Sequence, residues 1–294
     1  MKNGIMLPVI LLFAFKLQAD TTKIQAQEST LPEPGVNSSC SWFSKKKPWA
    51  HCKISTEGSA NPDVLYYLHG AGGSEKKWMT HFKPIRDAWK KLDLQPPIVI
   101  SISFGPVWAL TEKNGSPASG LFTYLVNTVM PYIENELGGV YGRRILMGES
   151  MGGFNVTQLI MRSGYRFSQA AILCPAITAF SPYSPKKAIE AYQKRTGATL
   201  ASIAKILTFQ KIFYSTQESW FAGSPLHIGK VLFGPLTPPL YISGASADEY
   251  GFLEGSTLLA QLARTQGVPN VQFEVVEGDH CTYNPTVIAK FLVQ

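Results

Sequence analysis

Gly148, Glu149, Ser150, Met151 and Gly152 spell a Gly-x-Ser-x-Gly pattern between the short apolar run Ile145 to Met147 and a segment of helical period that begins near Gly153. A serine on a tight strand-to-helix turn lifts its hydroxyl clear of the sheet, and the flanking glycines relieve crowding at that turn. The helix N-terminus behind it favours negative charge. A hydroxyl attacks a carbonyl carbon only when a base removes its proton, so Ser150 as nucleophile requires a histidine. Two histidines follow it, His227 and His280. His280 stands in the loop after the run Val271 to Val276, where the chain order serine, acid, histidine puts the base. His227 lies in a Ser-Pro-Leu-His segment inside a long interruption of the strand pattern and reads as a lid or packing residue.

The acid that orients the base must lie between Ser150 and His280, and Asp248 and Asp279 are the aspartates in that interval. Asp279 is the sequence neighbour of His280, a position from which its side chain points elsewhere. Asp248 follows the run Leu240 to Ser243 and is the predicted orienter, with Glu249 as the fallback. A tetrahedral intermediate also needs prearranged N–H donors. One is expected from Met151. The other is expected from the loop His69-Gly70-Ala71-Gly72-Gly73, at Ala71 or, failing that, Gly70, with His69 as a structural residue of the loop. Trp108, Trp220 and Tyr250 are expected to bind substrate, with Phe180, Tyr183 and Phe252 as further aromatic candidates. No Cys-x-x-Cys or Cys/His spacing suggests a metal, and the chemistry calls for no cofactor.

Positioning such a set requires a particular arrangement of elements. The runs Val64 to Leu68, Ile98 to Ile102, Ile145 to Met147, Ala170 to Leu173, Leu240 to Ser243 and Val271 to Val276 read as strands. They alternate with helical segments at Trp78 to Leu92, Leu121 to Leu137, Gly153 to Arg162, Ser256 to Thr265 and Thr286 to Val293. That alternation predicts an α/β fold with a mostly parallel sheet covered on both faces. Residues 178–237 break the rhythm without a convincing strand and predict a helical insertion, placed after the sixth strand and acting as a lid.

The chain has 294 residues, 45% hydrophobic and 16% charged, enough for one domain at residues 40–294. Residues 1–19, with Lys2 before an apolar run and Ala19 at the exit, predict a cleavable secretory signal, and residues 20–39 a flexible leader. The apolar run is too short for a stable membrane span. Without Lys2 and Lys16 the mature chain carries a net charge of +5, partly in the run Lys45 to Lys47, and no aromatic-interleaved basic stripe predicts a nucleic-acid partner. In a secreted or periplasmic setting Cys40 and Cys52 can pair across a short N-terminal stretch. The His280 loop leans over the end of the strand Ala170 to Leu173, so Cys174 and Cys281 can pair if their Cα atoms come within about 7 Å; the alternative is a free Cys174 buried in the core.

The chain resembles the Putative esterase family of α/β-hydrolases, which includes esterase D, feruloyl and acetylxylan esterases and mycolyltransferases. The resemblance rests on the His-Gly-x-Gly loop at His69, the GESMGG turn at Gly148 to Gly153, Ser-Pro-Leu-His at Ser224 to His227, SGASADEYGF at Ser243 to Phe252 and Gly-Asp-His at Gly278 to His280. It implies hydrolysis of a small-molecule or glycan-linked carboxylic ester through an acyl-enzyme. Alternatives are an acyltransferase using the same three residues and a catalytically silent glycan-binding protein on the same fold.

Overall fold

The computed structural model describes residues 36–41, 49–56, 61–105, 121–139, 142–163 and 166–294. The expected signal segment, Lys45 to Lys47 and Trp108 lie outside them.

Eight strands form one sheet: β1 (Val36–Ser41), β2 (Ala50–Thr56), β3 (Val64–Leu68), β4 (Ile98–Ser103), β5 (Arg144–Glu149), β6 (Gln169–Leu173), β7 (Leu240–Ala245) and β8 (Val271–Val276), in the order β1-β2-β4-β3-β5-β6-β7-β8. β2 runs antiparallel to β4, and the pairings from β4 through β3 to β8 are parallel. The mostly parallel sheet predicted from the alternation is therefore present, with two further strands at its N-terminal edge.

Alternation along the strands explains the two covered faces. Every residue of β3 is buried. Val64, Tyr66 and Leu68 join Ile100, Ile102, Leu146, Ile172 and Ile242 in one core, whereas Tyr67 meets Trp78 and Phe82 on the opposite side. Strands without a polar face belong to sheets with helices on both sides.

The helices are α1 (Lys77–His81), α2 (Lys83–Lys91), α3 (Leu121–Tyr124), α4 (Met130–Glu136), α5 (Met151–Ser163), α6 (Lys186–Thr196), α7 (Leu200–Phe213), α8 (Gln217–Gly223), α9 (Pro225–Leu232), α10 (Phe252–Thr265) and α11 (Pro285–Phe291), with a π-helical turn at Leu125–Val129 joining α3 to α4. Two single-helix expectations divide. The segment Trp78 to Leu92 breaks at Phe82, because Pro84 in the first turn of α2 has no N–H to donate and its ring obstructs the carbonyl four residues earlier. The π turn lies just ahead of Pro131, which occupies the first turn of α4.

The expected flexible leader is corrected at its end, since residues 36–39 are part of β1. A disulfide from Cys40 to Cys52, with Cα atoms 4.1 Å apart, fastens β1 to β2 and holds in the sheet a segment whose composition alone would leave it loose. The insertion between β6 and β7 consists of α6 to α9. Among the described residues no helix is long and apolar enough to cross a membrane.

Candidate active site

In a parallel sheet the loops at the carboxyl ends of the strands share one edge, where open α/β proteins bind ligands. The loop at His69 follows β3, Ser150 follows β5, Cys174 follows β6, Asp248 follows β7 and His280 follows β8. Residues 69 to 281 in the sequence thus meet along one rim.

Ser150 sits in left-handed backbone, with φ +53°. This costs a non-glycine residue about 1 kcal/mol or more and persists only where the surroundings impose it. They do so here. The Ser150 N–H donates to the Leu173 carbonyl at 3.0 Å, and its carbonyl accepts from Ala176 at 2.9 Å and Phe154 at 3.0 Å. The turn is locked between the end of β6 and the first turn of α5, which begins at Met151 rather than near Gly153. Gly152 packs so tightly against the Leu68 carbonyl that a Cβ there would overlap it.

Ser150 Oγ lies 3.0 Å from His280 Nε2, and His280 Nδ1 lies 2.7 Å from Asp248 Oδ2. Asp248 is buried, and its second oxygen accepts the Tyr250 N–H at 2.8 Å. A carboxylate with both oxygens engaged holds its orientation, and a contact at Nδ1 leaves Nε2 as the ring atom facing the serine. Asp279 is instead exposed and accepts from the Thr282 hydroxyl at 3.1 Å. The Glu249 carbonyl accepts the Thr199 N–H at 3.0 Å, and the carboxylate at His280 Nδ1 is that of Asp248. His227 packs between Trp220 and Phe221, with ring centroids 4.9 and 4.6 Å away.

Cys174 and Cys281 form a disulfide with Cα atoms 5.2 Å apart, and both have positive φ, +39° and +64°. The bridge ties the residue next to His280 to the strand end that also holds Ser150. Among the described residues, Cys174, His280 and Cys281 bring three potential metal-ligand atoms within 4.8 Å of one another, but both sulfurs are committed to their own bond.

Ala71 and Met151 line the same cavity as Ser150 and His280. The loop carrying Ala71 is shaped by His69, whose Nδ1 is 2.7 Å from the Gly70 carbonyl and whose Nε2 is 2.8 Å from Ser103 Oγ. Burial pushes the His69 pKa down, so the ring is neutral. A carbonyl only accepts, so Nδ1 carries the hydrogen and Nε2 accepts from Ser103. His69 is thus a brace for the loop.

Trp220 and Tyr250 also line the cavity, and Tyr250 tilts against the His280 ring with centroids 4.7 Å apart. Phe252 joins them, whereas Phe180 packs on Tyr192 inside the insertion, and the Tyr183 hydroxyl donates to the Tyr214 carbonyl at 2.7 Å. Sequence reasoning passed over Phe209, Phe213 and Tyr214, which complete the apolar wall. A signal was available: Ile206, Phe209 and Phe213 recur on one face of α7.

Sequence reasoning also passed over Glu149. Its carboxylate is buried directly before Ser150, accepts the Tyr67 hydroxyl at 2.9 Å and lies 3.1 Å from His81 Nε2. Burial works to raise its pKa, but the contacts with His81, Lys77 and Tyr67 outweigh it and hold the carboxyl below its ordinary range. Tyr67 is pushed well above the usual tyrosine value, by burial first and by Glu149 second.

The insertion is fastened to the acid loop. Tyr192 of α6 donates to the Tyr250 carbonyl at 2.8 Å, Arg195 pairs with Glu254 at 2.8 Å, and Phe252 shares a small core with Phe180, Tyr192, Ile203 and Ile206.

The Putative esterase family profile matches residues 53–280, most of the chain. The chain belongs to this family. No curated protein sequence matches this esterase-family chain. Its fold is shared with many solved structures. A ferulic acid esterase superposes with TM-score 0.61 at 19% identity, over 87% of this chain and 96% of its own. Brefeldin A esterase, a bacterial homologue of human hormone-sensitive lipase, gives 0.64 at 15%, over 97% and 85%. An S-formylglutathione hydrolase from Agrobacterium tumefaciens gives 0.54 at 15%, over 87% and 91%. At these identities the likeness is one of fold.

Proposed function

We propose that this member of the esterase family is a serine carboxylesterase that works through an acyl-enzyme. The observation that carries the reading is the unbroken line from Ser150 Oγ through the His280 ring to Asp248, with contacts of 3.0 and 2.7 Å. In the first half-reaction Ser150 Oγ attacks the ester carbonyl carbon while its proton passes to His280 Nε2. The N–H groups of Met151 and Ala71 stabilise the oxyanion, and Asp248 stabilises the imidazolium. The carbon–oxygen bond to the alcohol then breaks, and the leaving oxygen takes the proton from His280. In the second half-reaction water gives a proton to His280 and attacks the acyl carbon. The acid is released and Ser150 regains its hydrogen.

Turnover of p-nitrophenyl acetate by the purified chain and by Ser150→Ala tests this. The variant is expected to lose at least a thousandfold in kcat; equal rates would remove the assignment.

Export belongs to the same reading. The apolar segment within residues 1–19 supports it, as do two disulfides, which persist in oxidising compartments. N-terminal sequencing of the protein recovered from a secreting host is expected to start near Asp20, and a retained Met1 would overturn it.

A further inference from the structure

The cavity above Ser150 has a volume of about 170 Å³. This is slightly more than the roughly 150 Å³ of a dry protein cavity that accepts benzene. Its walls are Met151 and Phe154 from the start of α5, Ile177 after β6, and Phe209, Phe213 and Trp220 from the insertion. Lys205, an exposed residue, is the lining's permanent charge among the described residues. The Gln210 amide donates to Thr178 Oγ1 at 2.8 Å and Thr178 to the Phe180 carbonyl at 2.8 Å, so these donors are satisfied within the wall. Among the described lining residues the Gln210 side-chain oxygen is the buried acceptor left unpaired, so a charged or heavily hydroxylated group placed there finds too few partners to repay its desolvation.

The far wall is also fixed in place. Gln158 of α5, fully buried, donates from Nε2 to the Gly223 carbonyl at 2.5 Å, fastening α8 to the helix that carries Ser150's turn. The Tyr214 ring lies directly on Gly223, where an added Cβ would come 2.5 Å from Cε1. Together with the Tyr192 contact to the acid loop and the Arg195 contact to α10, these bonds hold the insertion as a wall, so the space it leaves discriminates by size.

Hydrolysis decides which part of the ester belongs in such a space. After the first half-reaction the alcohol departs and water takes its place beside His280 Nε2, so the alcohol side must exchange with solvent. The acyl group stays bonded to Ser150 throughout. A half-open chamber whose walls are mainly apolar suits the part that stays.

We propose that this cavity is the acyl site and that it selects uncharged, apolar acyl groups of about six carbons, linear or a single ring, with the alcohol held outside. The inference rests on the acyl-enzyme reading above.

Two substrate series on the purified chain test it. The first comprises p-nitrophenyl acetate, butanoate, hexanoate, octanoate and dodecanoate, with the hemisuccinate as a charged member. The second comprises butanoate esters of methyl to hexyl alcohols, followed by acid release. In the first series kcat/KM is expected to climb roughly fourfold per methylene to hexanoate, and to fall by dodecanoate, with the hemisuccinate at least tenfold below butanoate. In the second it is expected to vary by less than about fourfold in total, the worth of one buried methylene. Phe213→Ala is expected to move the optimum to octanoate or beyond, and Ile206→Ala serves the same purpose if that variant does not fold. A flat acyl profile, an optimum at acetate or a steeper dependence on the alcohol overturns the acyl site while leaving the esterase standing. No turnover of any ester overturns both.

Discussion

The two disulfides make very different demands on the unfolded chain, and that difference can be measured. Cys174–Cys281 closes a loop with a sequence separation of 107, whereas Cys40–Cys52 closes one of 12. The loop-entropy relation gives about 4.8 kcal/mol for the first and about 2.8 kcal/mol for the second. Cys174→Ala/Cys281→Ala is therefore expected to lose about 2 kcal/mol more than Cys40→Ala/Cys52→Ala. Backbone strain at the positive φ of both residues of the longer bridge is released when the bond that imposes it is removed, which makes this gap an upper figure. Urea unfolding of each variant, followed by tryptophan fluorescence and extrapolated with each variant's own slope, reads the difference directly. Activity supplies a second readout. Freeing Cys281 loosens the loop that keeps His280 at 3.0 Å from Ser150, so kcat should fall in the first variant and not in the second. Equal losses of stability would refute the entropy argument, and an unchanged kcat would refute the role given to the bridge in holding the histidine.

Other perturbations have defined outcomes. Asp248→Asn keeps the Tyr250 contact but turns an acceptor toward His280 into a possible donor, favouring the wrong tautomer; kcat is expected to drop on the order of a thousandfold with little change in unfolding. Gly251→Ala places a methyl in left-handed backbone at φ +76° and within 2.7 Å of the Tyr192 hydroxyl, so about 1–3 kcal/mol of stability and much of the activity should go together. Glu149→Gln tests the buried carboxylate through pH. Its folded pKa lies below the unfolded one, so its contribution is complete above the ordinary glutamate range and disappears as pH falls through the folded value. The wild type should lose stability in acid more steeply than the variant, and parallel curves below pH 5 would contradict this.

The side chains now in contact at Ser150 are readable from local signals: a glycine-flanked serine between strand and helix, and loops that begin where apolar runs stop. β7 and β8 are legible for the same reason, since Leu240 to Ser243 is mostly apolar, Val271 to Val276 alternates Val and Phe with Gln272 and Glu274, and both end in polar turns. β2 is not, because His51, Lys53, Ser55 and Thr56 disguise a strand whose Ala50 and Cys52 are wholly buried, and the buried His51 lies 3.1 Å from Glu136 across the fold. The polar run of β1 gives no periodic signal at all, and its place depends on a bond to Cys52. The insertion is visible as an interruption, but its attachment to the acid loop through Tyr192, Thr199 and Arg195 arises from contacts between residues about fifty to sixty apart in sequence, which no short-range pattern encodes. The Glu149–His81 contact escapes for the same reason.

That attachment ties two properties usually thought of as separable. The insertion that shapes the chamber also braces the backbone directly after Asp248, at Glu249 and Tyr250, so grafting a different one to change what the protein accepts would disturb the carboxylate as well. Variation in preference should accumulate at inward-facing tips such as Phe209 and Phe213, leaving the outer contacts of Tyr192 and Arg195 alone. A designer who wished to retune this chain would do better to carve the chamber from within than to exchange its roof.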